Sequence, residues 1–241
     1  MKMRLNRFIA RSGYCSRRKA DQLIEMGKVK VNGKVVKDFG YRVDTEKDRV
    51  EIDGKLIKLE LKKVYIKLYK PRGYLTQLGK DKFGRKTLTD LFKEVGIKDN
   101  VFPAGRLDYE SEGLLLLTND GDFANMIMHP KSKIKKTYVV KVKGRVNLES
   151  FNRMRKGALL EDGFIKPDEI KILKKGKNYT WLEITIHSGK KRIIRRFTKY
   201  FGYPVERLIR TRIGSIELGS LKEKEWKYID EKIINRMSKS K

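Results

Sequence analysis

Four carboxylates, Asp108, Glu110, Glu112 and Asp120, fall within the stretch GRLDYESEGLLLLTND (105–120) of a chain whose formal net charge is +29. An ionised carboxylate held still can act as a nucleophile toward an electrophilic carbon or as a general base. Of the four, Asp108 is the best placed to do so. Leu114 to Leu117 run without polar alternation, which predicts a strand buried on both faces, and Gly113 frees the chain just before it. Asp108 is therefore expected in a loop feeding a rigid core strand, and scaffolds commonly fix reacting groups in such loops. The plainer alternative is that Asp108 caps a turn or pairs with Arg106. Glu110 and Glu112 read as exposed or paired loop residues. His129 and His187 lie in the wrong context for a catalytic pair, which favours structural roles.

The remaining composition says what such a carboxylate would meet. Lys and Arg outnumber Asp and Glu by 59 to 30 and are spread along the chain, so a polyanion is the expected partner. Nucleic acid fits better than a membrane surface, because there is no long basic amphipathic helix with an aromatic face. No run reaches the roughly 18 apolar residues of a spanning helix, and MKMRLNRF lacks the apolar core of a signal peptide, so a cytoplasmic location is expected. Cys15 stands alone, which excludes an internal disulfide and disfavours a Cys/His zinc site. No GxGxxG or GxxxxGK[ST] loop and no cluster of metal ligands occurs, so neither a cofactor nor a metal is expected.

Two units must carry these residues. Residues 4–27 predict two short helices, the first with Leu5, Phe8 and Ile9 on one face, the second capped by Ser16 with Ala20, Leu23 and Ile24 buried. VKVNGKVV and VEIDGKLI then alternate around Asn32-Gly33 and Asp53-Gly54, the pairs that favour tight hairpins. This small unit is expected to occupy residues 1–60. From 61 to 235 strand-like runs dominate, VYIKLY, GLLLLTND, KTYVVKVKG and TWLEITIH, with helices expected near 87–94, 122–128, 147–155 and 191–201. The order predicts an α+β domain on a mixed, largely antiparallel sheet. Residues 236–241 are expected to fray. Arg17, Arg18 and Lys19 open the second helix, where cations are disfavoured unless an anion binds nearby, and this points to phosphate contact.

The stretch RLNRFIARSGYCSRRKADQLIEMGKVKVNGK resembles, over about 45 residues, the RNA-binding module named after small-subunit ribosomal protein four. GRLDYESEGLLLLTND resembles the signature of the pseudouridine synthases that modify ribosomal RNA, and KPRGYLT (70–76), KTYVV (136–140) and SGKKRIIRR (188–196) follow the order found in that family. The resemblance implies isomerisation of a uridine with Asp108 as nucleophile and no cofactor. It implies Arg195 as the cation partner of Asp108 and Tyr138 as the residue stacking on the target base. Leu208 would pack against the pocket, Arg106 would help hold the flipped nucleotide, and Arg192 would contact substrate. Ile193 departs from the pattern, standing where many relatives carry Gln. DYESEG, IMHP and LLEDG (159–163) look more like the enzymes of large-subunit ribosomal RNA, so the expected partner is that RNA or a subunit precursor, bound by a monomer. Small-subunit RNA, transfer RNA and a non-catalytic RNA-binding assembly factor are the alternatives. DNA is not expected, for want of a recognition helix.

Overall fold

Apolar spacing and turn chemistry build the amino-terminal unit directly. In the computed structural model, which describes residues 1–59 and 62–239, β1 (Lys2–Arg4) leads into α1 (Leu5–Arg11) and α2 (Arg17–Glu25). Next come β2 (Val29–Val31), β3 (Lys34–Val35), β4 (Arg42–Asp44), β5 (Val50–Ile52) and β6 (Lys55–Ile57). The helical face of Leu5, Phe8, Ile9, Ala20, Leu23 and Ile24 closes over Val29, Val31, Val50 and Ile52 in one core. Ser16 caps α2 by accepting a hydrogen bond from the Lys19 amide at 3.3 Å. Asn32 and Gly33 take φ of 52° and 80°, and Asp53 and Gly54 take 49° and 77°, the paired left-handed residues of two-residue hairpin turns. These hairpins make the β3-β2-β5-β6 sheet, and β1 pairs separately with β4.

The chain divides into this unit, residues 1–64 with 119–121, and a second built from 65–118 and from 122 onward. In order, the second part of the chain runs β7 (Tyr65–Lys70), α3 (Leu88–Val95), β8 (Phe102–Pro103), β9 (Glu112–Thr118), α4 (Gly121–Met128) and β10 (Lys136–Lys143). It continues through α5 (Leu148–Lys156), β11 (Ala158–Leu160), β12 (Gly163–Ile165), β13 (Glu169–Lys175), β14 (Tyr179–Ile186) and α6 (Ile193–Tyr200). The last elements are β15 (Val205–Ile213), β16 (Ile216–Glu217), β17 (Trp226–Tyr228) and α7 (Glu231–Lys239).

The main sheet has the order β13-β14-β10-β15-β9-β7-β17. Every pairing along it is antiparallel except β15 against β9, so the sheet is mixed at one seam, in the middle. All residues of β9 are buried, as the unbroken leucines require: Leu114 and Leu116 face one core with Tyr65, Phe123, Ile127 and Ile213, and Leu115 and Leu117 are equally buried. α3 is held by a capping box between Thr87 and Asp90, and α5 by Asn147.

Two expectations need correction. Residues 236–239 do not fray but belong to α7, because Ile234 and Met237 bury themselves in the same core as Leu114; residues 240 and 241 lie outside the described residues. Glu112 is not a loop residue but opens β9, with 1% of its surface exposed. Among the described residues no helix is long and apolar enough to cross a membrane.

Candidate active site

The loop preceding β9 holds its shape through bonds to its backbone. Thr76, the last residue of KPRGYLT, donates its hydroxyl to the Leu107 carbonyl at 2.6 Å and accepts from the Leu107 amide at 3.1 Å. The Gly73 amide donates to the Tyr109 carbonyl at 2.9 Å, and the Ser111 amide to the Asp108 carbonyl at 3.0 Å. Beneath these lies Lys70, with none of its surface exposed. Its ammonium donates to the carbonyls of Pro71 (2.9 Å), Ser111 (3.0 Å) and Asp108 (3.4 Å). A second buried cation, Arg210, donates through Nε to the Leu114 carbonyl (2.8 Å) and through Nη1 to that of Arg106 (3.2 Å).

Backbone contact makes this arrangement possible. Gly113 stands opposite Arg210 at the parallel seam, with φ of +103°. A Cβ there would sit 2.4 Å from the Arg210 oxygen and 2.7 Å from its nitrogen, so only glycine lets β15 approach. Burial, with Arg210 adding to it, pushes the Lys70 ammonium down to about 8, while Asp108 and Glu112 oppose the shift. Next to it, burial works against the charge of Glu112, but Arg207, bonded at 2.6 and 3.2 Å, holds its pKa below the ordinary value. Burial and the Glu112 charge push the Tyr69 hydroxyl, which donates to Glu112 at 3.3 Å, up to about 12.

α6 closes the other side. Arg192 caps the helix in the left-handed conformation, φ 51°, and Ile193, Ile194 and Phe197 bury the helix against the sheet. Ile193 thus serves the core. Arg195 is half-buried and donates to the Glu110 carbonyl at 2.9 Å, and Arg192 reaches the Glu110 carboxylate at 3.4 Å. Burial, and then the neighbouring Arg192, hold the Arg195 pKa below its usual value; the charges of Glu110 and Asp108 pull the other way. Arg196 turns aside to Asp162 at 2.7 and 2.9 Å.

Asp108 itself is half-buried. Among the described residues its carboxylate forms neither an ion pair nor a hydrogen bond, so it is not paired with Arg106, whose side chain is exposed, nor in direct contact with Arg195. Tyr138 on β10 lies opposite Arg210 of β15 and packs, with Leu208, into the core cluster that also holds Ile193 and Phe197. Arg106, Asp108, Tyr138, Arg192, Arg195 and Leu208 all lie in the second unit. Arg17, Arg18 and Lys19 belong to the first unit, exposed in the opening turn of α2. His187 is bonded to Asp168 at 2.9 Å and His129 caps a single turn, accepting from the Lys131 amide at 3.2 Å.

Three residues of the site escaped the sequence reading. Lys70 and Thr76 were visible only as letters of KPRGYLT, and Arg210 only as part of VERLIRTRIG; nothing in a linear pattern shows a cation aimed at carbonyls. Three buried side-chain atoms here also lack a hydrogen-bond partner among the described residues: Ser111 Oγ, Arg195 Nε and Arg210 Nη2. Such unpaired buried atoms are uncommon in folded proteins.

Comparison with known proteins gives a consistent result. Residues 64–200 match the model of a family described as RNA pseudouridylate synthase, and residues 3–50 match that of the S4 domain. An uncharacterised RNA pseudouridine synthase of Aquifex aeolicus is 48% identical over 241 residues, covering 100% of this chain and 95% of that protein. Ribosomal large subunit pseudouridine synthase B of Bacillus subtilis is 46% identical over 220 residues, covering 90% and 88%. A crystal structure of a pseudouridylate synthase superposes with a TM-score of 0.67 at 28% identity, covering 98% of this chain and 99% of that one.

Proposed function

The chain belongs to the RNA pseudouridylate synthase family, and from that premise we propose that it acts on a uridine of large-subunit ribosomal RNA with Asp108 as the reacting carboxylate. The family's reaction breaks the bond from ribose C1′ to ring N1 and makes one from C1′ to ring C5. A proton leaves C5 and N1 gains one, with no change of oxidation state. Asp108 acts as nucleophile at C1′ or as base at the ribose, and both routes need it ionised.

One observation carries the assignment: a carboxylate without a partner of its own stands on a loop whose backbone is tied at Leu107, Asp108, Tyr109 and Ser111. Freedom of the reacting group combined with rigidity of its support favours chemistry over structure. The half-buried Arg195, with Nε unpartnered, supplies a positive charge to the site beside the loop that carries Asp108. Tyr138 stacks on the target base, Leu208 supports it from below, and Arg106 and Arg192 hold the nucleotide's phosphates. Arg17, Arg18 and Lys19 add phosphate contacts from the S4 domain. The large-subunit preference draws on the Bacillus subtilis relative and carries a cytoplasmic location with it.

Tritium release from ribosomal RNA labelled at uridine C5 tests both parts, with large- and small-subunit RNA in separate reactions. Wild type should release tritium from large-subunit RNA, and Asp108→Asn should bind that RNA as tightly without release. Turnover by Asp108→Asn near the wild-type rate would remove Asp108 from the chemistry, and release from small-subunit RNA alone would move the substrate.

A further inference from the structure

Between Thr76 and α3 the chain forms the loop QLGKDKFGRK (77–86). Its base is closed by the Leu75 amide donating to the Lys86 carbonyl (2.8 Å) and the Leu88 amide to the Gln77 carbonyl (3.0 Å), and the Gly79 amide binds the Thr89 hydroxyl at 2.8 Å. Its tip is organised around one carboxylate. Asp81 accepts from the amides of Phe83 (3.0 Å) and Arg85 (3.3 Å) and from Nε (2.9 Å) and Nη2 (3.0 Å) of Arg85. Gly84, with φ of +70°, completes the turn.

The turn has an unusual product. Phe83 is 81% exposed, the highest value among large apolar side chains of the described residues. Single exposed apolar residues usually require no explanation. This one is held by a turn with four bonds to Asp81, has the Arg85 guanidinium 5.3 Å from its ring centroid, and is flanked in sequence by Lys80 and Lys82, while Lys86 turns to Glu94 at 3.3 Å. A fixed aromatic face among cations is what an unstacked base with its phosphates binds. The loop is also anchored to the reacting loop: Thr76, next to its first residue, grips Leu107.

We propose that Phe83 is a positioning residue that stacks on an unpaired RNA base beside the target uridine, holding the local structure open while the sugar is at Asp108. The target must leave its stack before reaction, and a base seated on Phe83 offsets part of that cost. This rests on the reading of Asp108 as the reacting carboxylate.

Single-turnover tritium release from C5-labelled large-subunit ribosomal RNA transcript, with enzyme in excess, is measured for wild type, Phe83→Ala, Phe83→Tyr and Asp108→Asn. Phe83→Ala should lose about tenfold in rate at subsaturating enzyme, in keeping with the worth of one stacked base, and Phe83→Tyr should recover to within about threefold. The thermal midpoint should not move, because the side chain is exposed. In parallel, wild type is irradiated on a transcript substituted with 4-thiouridine, and a crosslink should map to the peptide carrying Phe83. Wild-type release by Phe83→Ala, or crosslinks elsewhere with none at residues 80–86, would overturn the proposal. Release by Asp108→Asn with the Phe83 crosslink intact would instead sink the Asp108 reading alone.

Discussion

Lys70 offers a test in which structure sets both sign and size. Its ammonium is fully buried against three carbonyls, and burial followed by Arg210 pushes it from the ordinary 10.5 down to about 8. In the unfolded chain the group regains its ordinary value. At pH 7 it is charged in both states, and the folded state bears the whole cost of that burial, roughly 3 kcal/mol as an upper figure. Between pH 8 and 10.5 the unfolded chain holds a proton that the folded protein has released, so the Lys70 contribution to stability rises with pH. Lys70→Met deletes the titration while keeping the volume. Stability of wild type relative to Lys70→Met should therefore shift toward wild type by up to roughly 3 kcal/mol from pH 7 to 10.5, and titrations common to both proteins cancel. Urea unfolding followed by tryptophan fluorescence measures this in the right unit, because the only tryptophans, Trp181 and Trp226, both lie in the second. A difference that stays flat across that range would refute the reasoning, showing that the ammonium keeps its proton in the fold as it does in water.

Gly113→Ala should cost on the order of 3 kcal/mol, because its Cβ meets the Arg210 backbone at 2.4 Å in a positive-φ position; a melting temperature equal to wild type would reject the close approach. Thr76→Val leaves both backbone groups of Leu107 without their buried partner, a loss of about 1–3 kcal/mol. Its turnover should fall while RNA retention on filters stays unchanged, and unchanged turnover would mean the Thr76 bonds do not support Asp108. Replacing Arg17, Arg18 and Lys19 together by alanine should lower the slope of log affinity against log salt by about 2 to 3 with turnover at saturating RNA preserved; an unaltered slope would take those residues off the phosphates.

Much of the molecule could be read from local pattern alone. Helical spacing, Ser16 and the Asn32-Gly33 and Asp53-Gly54 pairs define the first unit, because each is a local interaction within a few residues. The leucines of β9 announced a buried strand for the same reason. The sequence also placed Asp108 in the loop before that strand, and its motif order identified the family. It could not set β15 beside β9, since that contact joins residues about a hundred positions apart and depends on a glycine whose need appears only when Arg210 arrives. Nor could it show that Glu112 is buried on Arg207, or that Asp108 and Arg195 stand near one another without touching. The distribution of charge around the loop, with Lys70 and Arg210 beneath it and Arg195 beside it, was decided by tertiary structure. Burial and distance fix the energy of a charge, and neither is a property of position along the chain.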